Sequence, residues 1–472
     1  MKRKRNNVKW WIVLLLCLGS INFSTVYAQE INQTLSFTEF LGYVKKYHPR
    51  VKQAGLEIGQ AEAELMKARG AFDPKLEVDF DKKEFKGKEY YSLLNSSFKI
   101  PTWYGIEVKA GFDNSEGIYV NPQNSLPNSG LTSLGISIPL GQGLLINQRM
   151  ADLRIAKINL SLSAAEQRLQ AANVIYDASV AYFNWLRAHE ESNLYAQYLR
   201  FAETRYEGIK KLIVAGDKPG IDSIEAGIIV KNRRFNFKDA GIKLMKTRQE
   251  LSNYLWIDNV PLELQDNIAP ETVLNKSISQ FFSDEANAVS NNLDGHPKIT
   301  ALESKLGILQ VERKLKQNAL LPKIDLGYYY LSEPSLTDNY NFKDYKVGLN
   351  FSFPLFLRKE RGSLKAAQLK IQDAKLELDI EKLQLKNKIE ASRNEIKLLQ
   401  EQFVLTESLV TDYRKMLESE ERLFSFGESS IFLLNTRENS LVSVGISAIE
   451  LKNRYLNSYA MLFKVLAEIP VL

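Results

Sequence analysis

The sequence predicts an α+β protein, mainly α, built as a duplication in which each copy joins a strand region to long coiled-coil helices. Three observations carry this reading. First, the landmarks recur: His48-Pro49 is followed 25 residues later by Asp73-Pro74, and His296-Pro297 is followed 25 residues later by Leu321-Pro322. The His-Pro pairs set a period of 248 residues (296 − 48), a duplicated domain and not a short-unit solenoid, and Ile138-Pro139-Leu140 and Phe353-Pro354-Leu355 close the two strand regions. Second, residues 361–426 contain no proline and carry heptads: Leu364, Ile371, Leu378 and Leu385, then Ile389, Ile396, Phe403, Val410, Leu417 and Phe424. The two frames are offset by four between Leu385 and Ile389, a stutter that locally relaxes supercoiling. Third, the segments after the landmark prolines alternate apolar and polar residues with a period of two.

The elements follow in order. Residues 36–47 read as a short amphipathic helix, with Ser36 and Glu39 at capping-box spacing. Pro49 restarts a helix that runs to about Ala71, as proline does at a first helical position. The second-half counterparts are about 279–291 and 297–319. Ile324, Leu326, Tyr328 and Tyr330 alternate with Lys323, Asp325 and Gly327, and Tyr345, Val347, Leu349, Phe351 and Phe353 alternate with Lys346, Gly348, Asn350 and Ser352. The first half repeats the pattern at Leu76, Val78 and Phe80 and at Leu134, Ile136 and Ile138, with extra alternating runs around 90–112. The long helices come next, about 146–215 and 359–426, each returning through a shorter helix, about 221–256 and 430–468. The two shorter helices of each half nearly sum to the long one. Placed end to end along it, they put the strands at one end of a rod and the Gly216 and Gly427 turns at the other.

The N-terminus reads as a secretory leader over 1–28: Lys2, Arg3, Lys4, Arg5 and Lys9, an apolar run from Trp10 to Gly19, and Val26-Tyr27-Ala28 at the cleavage position. The leader holds five basic residues and no acid, so its removal lowers the net charge from +6 to about +1. No nucleic-acid footprint remains. Cys17 is the only cysteine. The mature chain has no run of 18 apolar residues, which disfavours helical membrane spans and says nothing against a β-barrel.

No enzymatic constellation is present. His48 and His296 precede prolines at helix junctions, His189 lies mid-helix, and no acid–histidine cluster or phosphate loop accompanies them. No cofactor and no metal are expected. Trp185 and Trp256 read as packing residues. Tyr90, Tyr91, Trp103, Tyr104, Tyr328, Tyr329, Tyr330, Tyr340 and Tyr345 cluster around the strands, as an aromatic girdle does.

Particular stretches then sharpen the reading. Ile136 to Gly143, with Asn147 and Leu153 to Leu160, resembles the strand-to-helix passage of the TolC family of outer-membrane channel proteins. Ala215 to Ala226 resembles the family's first helical hairpin tip, and Phe426 to Asn435 with Arg437 its second. The resemblance covers nearly all of the mature chain. It implies two TolC-like repeats, 29–260 (strands about 74–140) and 282–472 (strands about 322–354), around a linker at 261–281. It implies a homotrimer in the outer membrane, in contact with outer-membrane lipid. Four strands per chain would close a twelve-stranded β-barrel, continued by a periplasmic α-helical barrel; the place of the extra segments around 90–112 stays open. The implied function is the exit duct of a tripartite efflux or type I secretion system. The duct is passive, docked on a periplasmic adaptor and served indirectly by an inner-membrane transporter. The rival class is a periplasmic coiled-coil structural or adhesion protein without a membrane barrel. On the resemblance, Ala215, Gly216, Asp217, Phe426, Gly427 and Glu428 are the adaptor-docking tips. The family's acidic ring after the second tip is missing, since Leu433 and Thr436 stand there; Asp222 and Glu225 after the first tip are candidates for the periplasmic entrance.

Overall fold

The fold, from a computed structural model, is described for residues 33–272, 293, 295–334 and 343–467. The leader expected over 1–28, the short helix expected over 279–291 and Tyr340 lie outside these residues. In chain order the elements are β1 (Gln33–Leu35), α1 (Phe37–Tyr47), α2 (Pro49–Gly70), β2 (Lys75–Phe85), β3 (Lys88–Pro101), β4 (Glu107–Glu116), β5 (Leu131–Pro139), α3 (Gln148–Val214) and α4 (Gly220–Ser252). The second half follows with β6 (Trp256–Ile257), β7 (Val260–Pro261), β8 (Ile268–Pro270), α5 (Pro297–Asn318), β9 (Lys323–Ser332), β10 (Tyr345–Ser352), α6 (Arg358–Ser425) and α7 (Ile431–Leu466).

The repeated His-Pro pairs are helix starts. The Nδ1 atom of His48 accepts from the Arg50 amide at 3.3 Å, and that of His296 from the Lys298 amide at 3.1 Å. Each imidazole thus serves as N-cap to a helix whose first residue is the proline, which has no amide to satisfy. With Nδ1 accepting, the His296 proton sits on Nε2, which lies 2.9 Å from the Val465 carbonyl. Burial holds both imidazoles below the ordinary histidine pKa.

The long helices α3 and α6 have 67 and 68 residues, about 100 Å each at 1.5 Å per residue. Helix α3 packs against α2, α4, α5 and α7, and α6 packs against α5 and α7. The shorter helices abut where the heptads break. Ile299 near the start of α5 and Leu462 and Leu466 at the end of α7 share one buried cluster with Leu385, Ile389 and Ile396, the residues that flank the stutter. The first half has the same junction in a larger form. Val174 to Leu186 of α3 packs with Phe37, Phe40, Leu41 and Val44 of α1, Leu251 at the end of α4, and Leu456, Ala460 and Phe463 of α7. Trp185 is fully buried there, and the Tyr182 hydroxyl donates to the Leu35 carbonyl at 2.7 Å.

The segment read as a linker is partly built into this junction. Helix α4 ends at Ser252, short of the expected 256, and the chain turns through β6 and β7. Asp258 and Asn259 form the two-residue loop, both at positive φ, which short polar side chains tolerate in a hairpin turn. Strand β8 then pairs in parallel with β1.

The strands form one six-stranded antiparallel sheet in the order β10-β9-β5-β4-β3-β2. The sheet thus has two strands more than the four per chain that the resemblance implies. The extra runs around 90–112 are β3 and β4, inserted between β2 and β5. The first half thus gives four strands and the second a single hairpin.

Candidate functional site: a one-faced apolar sheet and two helical tips

Cross-strand partners in a sheet share a face, so the registers fix which side chains lie together. From Phe351↔Ile324, Leu349↔Leu326 and Val347↔Tyr328, the face passes through Tyr328↔Ile136 and Ile136↔Val108 to Val108↔Ile100. A parallel line runs Tyr345↔Tyr330, Tyr330↔Leu134, Leu134↔Ala110, Ala110↔Phe98 and Phe98↔Leu76. All six strands therefore present one continuous apolar face. Leu76, Phe80, Leu134, Leu349 and Phe351 on it are more than half exposed in the single chain. Water-exposed apolar patches of this extent mark a surface that meets something other than water.

The opposite face is polar. It carries Glu77, Asp79 and Asp81 of β2, Lys99 of β3, Glu107 and Lys109 of β4, Ser133 and Ser137 of β5, Asp325 of β9 and Lys346 and Asn350 of β10. Lys99 pairs with Glu77 across strands, which holds the Glu77 carboxyl below its ordinary pKa range. Tyr329 lies on this face between two glycines: a Cβ at Gly135 would meet the Tyr328 carbonyl at 2.0 Å, and one at Gly327 would meet the Tyr329 ring at 2.8 Å. Only glycine leaves room for that ring flat against the backbone.

The strand-to-helix passage is locked by glycine as well. The Leu140 and Gln142 amides donate to the Ile324 and Pro322 carbonyls at 2.7 and 2.8 Å, and a Cβ at Gly141 would lie 2.1 Å from the Pro322 carbonyl oxygen. Gly141 and Gly143 thus turn the chain tightly from β5 toward α3.

Of the expected girdle, Tyr328, Tyr330 and Tyr345 lie on the apolar face, toward the end of the sheet far from the rod. Tyr90, at the same end, is the extra residue of a β-bulge opposite Lys83 and Glu84, with the Lys83 ammonium 5.2 Å from its ring centre. Tyr91 and Tyr329 lie on the polar face. Trp103 sits in the β3–β4 turn at the rod end and packs on Leu65, Leu153 and Ala156, with the Arg154 guanidinium 5.6 Å from its ring centre. Tyr104 beside it is exposed.

The two tips at the far end of the rod share one geometry. At the first, Ala215 caps α3, Gly216 takes φ +83°, and the Gly216 and Asp217 amides donate to the Ile213 and Leu212 carbonyls at 3.0 and 2.9 Å. At the second, Phe426 caps α6, Gly427 takes φ +77°, and the Gly427 and Glu428 amides donate to the Phe424 and Leu423 carbonyls at 3.1 and 2.9 Å. Both are Schellman turns, which satisfy the last helical carbonyls and require a left-handed residue. Ile209, Ala226 and Ile431 form a shared buried cluster, so the tips stand side by side. Ala215, Gly216, Asp217, Phe426, Gly427 and Glu428 are all exposed, while Asp222 and Glu225 are half-buried at the start of α4.

Sequence reasoning missed two features of this end. Val214, Phe426 and Phe432 are 90%, 77% and 67% exposed, an apolar surface on the tips. Behind them Glu438 of α7 is 1% exposed and accepts from Arg205 of α3 at 2.7 Å and Arg233 of α4 at 3.1 Å. Arg205 also donates to Asn435 at 3.2 Å and Arg233 to Asn439 at 2.7 Å. The signal was present, since Glu438 falls among Leu434, Leu441 and Val442 on the apolar side of α7.

Among the described residues no group of three histidine, cysteine, aspartate or glutamate side chains could hold a metal, and no helix is long and apolar enough to cross a membrane. His189 is half-buried, its pKa lowered by burial.

A one-faced apolar sheet is thus joined to a rod of paired long helices. Residues 288–468 match the family described as outer membrane efflux protein. The match spans the second half of the chain, and the fold throughout is similar to that of solved outer-membrane channels. No curated protein sequence matches it. Among solved structures it is similar to the CmeC outer membrane channel of Campylobacter jejuni, with TM-score 0.63 and 15% identity over 91% of this chain and 85% of that one. It is similar to CusC, with TM-score 0.64 and 14% identity over 91% of each chain. It is also similar to the outer membrane protein VceC of Vibrio cholerae, with TM-score 0.62 and 13% identity over 91% of this chain and 95% of that one.

Proposed function

We propose that three copies of this chain form the passive exit duct of a tripartite efflux or type I secretion system. The barrel lies in the outer membrane and the rod stands in the periplasm. The observation that carries the reading is the continuous apolar face across the sheet. A soluble periplasmic coiled-coil protein has no use for such a face, whereas a barrel wall needs one. The homotrimer is supported by apolar stripes that no described helix of the same chain covers. On α6, Leu369, Leu376 and Leu383 recur every seven residues, and Leu398 and Leu405 resume the spacing, each at least half exposed. On α4, Ile228, Phe235 and Ile242 do the same. Heptad stripes of this kind are coiled-coil seams awaiting a partner, and α6 of one copy against α4 and α2 of the next satisfies both.

The tips Ala215, Gly216, Asp217 and Phe426, Gly427, Glu428 are the docking surface for the periplasmic adaptor, which links the duct to an inner-membrane transporter. Their exposed apolar side chains and acids give such a contact a core and a polar rim. Asp222 and Glu225 stand at the entrance.

Fractionation and sizing test the reading. The protein should be extracted from outer membranes only by detergent, run as a trimer, and be required for export by cells that carry its transporter. A soluble monomer would overturn it.

A further inference from the structure

We infer that the β3–β4 hairpin is part of the membrane wall, and that β2 of one copy pairs with β10 of the next to close three copies into an eighteen-stranded barrel. The inference rests on the trimeric outer-membrane reading and goes beyond it, since the resemblance alone implies twelve strands.

The first ground is register. Were the hairpin a soluble insertion, its two faces would have no reason to match the sheet. Instead Phe98 and Ile100 of β3 and Val108 and Ala110 of β4 lie in line between Leu134 and Ile136 of β5 and Leu76 of β2. Lys99, Glu107 and Lys109 continue the polar face. With 14 and 10 residues, β3 and β4 reach the roughly 25 Å height of an outer-membrane apolar band at ordinary tilt.

The second ground is anchorage. The turn between β3 and β4 is fixed to the top of the rod by Trp103 on α2 and α3, and by Glu107, which accepts from Arg149 of α3 at 2.6 Å. A Cβ at Gly105, in the same turn, would lie 2.9 Å from the Gly143 carbonyl oxygen, so the turn is seated on the β5–α3 passage. The hairpin therefore starts from the same ring as the other strands.

The third ground is closure. Six strands are too few to close alone, and an open edge cannot be left in lipid. All neighbours are antiparallel and the number is even, so β2 and β10 run antiparallel to each other. Both edges alternate in phase: Leu76, Val78 and Phe80 on one, Val347, Leu349 and Phe351 on the other. A second copy is thus the occupant that each edge fits. At about 4.8 Å between strands and about 40° tilt, eighteen strands give a backbone diameter of about 36 Å, against about 24 Å for twelve. The exit is a wide aqueous pore lined by lysines and carboxylates.

The test uses the full chain on a Cys17→Ala background, reconstituted in lipid, with single spin labels read by collision with oxygen and with a water-soluble nickel complex. Labels at Leu349→Cys and Asn350→Cys should report lipid and water respectively, and so should Ala110→Cys and Lys109→Cys, and Leu94→Cys and Ser97→Cys. Alternation in β10 with none in β3 and β4 overturns the inference and leaves the barrel standing. No alternation in β10 sinks the membrane reading itself. Oxidation of Leu349→Cys with Leu76→Cys, Val78→Cys or Phe80→Cys should yield covalent trimers for at least one pair. Trimers formed instead through Val108→Cys, or through none of these pairs, overturn the closure.

Discussion

Removing the Glu438 carboxylate should loosen the lower third of the rod. Glu438→Ala strands two buried guanidinium groups, Arg205 and Arg233, whose side chains are 13% and 7% exposed. Breaking a buried pair from one side costs about 3–5 kcal/mol. Glu438→Gln keeps the shape and one acceptor oxygen, so it loses a single charge-assisted hydrogen bond, about 1.5–3 kcal/mol. Replacing the whole set, Arg205→Met with Arg233→Met and Glu438→Leu, removes the charges together and should return stability to within about 1 kcal/mol of the parent. The assay is amide hydrogen exchange of α3, α4 and α7 around these residues, because a long rod with separate buried clusters need not unfold in one step. A loss of about 3 kcal/mol speeds exchange by more than about 100-fold there and leaves the sheet unchanged. Exchange within about threefold of the parent in Glu438→Ala, or a triple variant worse than that single one, would refute the argument that these charges pin the three helices together.

The helix caps make a pH prediction. Burial lowers the folded-state pKa of His48 and His296, so the folded protein binds fewer protons than the unfolded chain. Their contribution is complete above the ordinary histidine value of about 6.5 and is lost as pH falls below it. The thermal midpoint of the helical signal should fall between pH 7.5 and 5.5, and less so in His48→Asn with His296→Asn, where asparagine caps without titrating; equal falls would argue against the caps as the cause. Gly216→Ala and Gly427→Ala meet no neighbour within 4 Å, so each should cost only the left-handed strain of about 1–2 kcal/mol, seen as faster exchange confined to the tip. Asp217→Lys with Glu428→Lys should abolish export while trimers persist; unchanged export would remove the tips from adaptor docking.

The rod was legible because its signals are local. Proline at a first helical position, glycine at a helix end and a seven-residue apolar spacing each constrain a few neighbouring residues. The stutter at Leu385 even marked the level at which α5 and α7 abut. Strand alternation was legible too, but a period of two names the face of a strand and not its neighbour. Nothing local in Phe98 or Ala110 says that they stand between Leu76 and Leu134; only hydrogen-bonded register does. Glu438 stood out on the apolar side of α7, but its partners Arg205 and Arg233 were hidden for the same reason, since each lies more than 200 residues away on another helix.

The duplication is therefore unequal in the sheet and near-equal in the rod. Each half supplies one helix of about 100 Å and a pair of shorter ones laid along it, so the proposed trimer would have twelve helical positions around its axis. At about 9.5 Å between axes, twelve positions close a cylinder about 36 Å across. Strands are only about half as wide as helices, so an equal two-plus-two contribution would form a barrel narrower than the rod at ordinary tilt. In the proposed eighteen-stranded closure, four strands from the first half and two from the second bring the barrel to the rod's own diameter, and the inserted hairpin would be the physical means by which one wall passes from sheet to helix without a step. Its anchor, Trp103 on α2 and α3, stands at that passage.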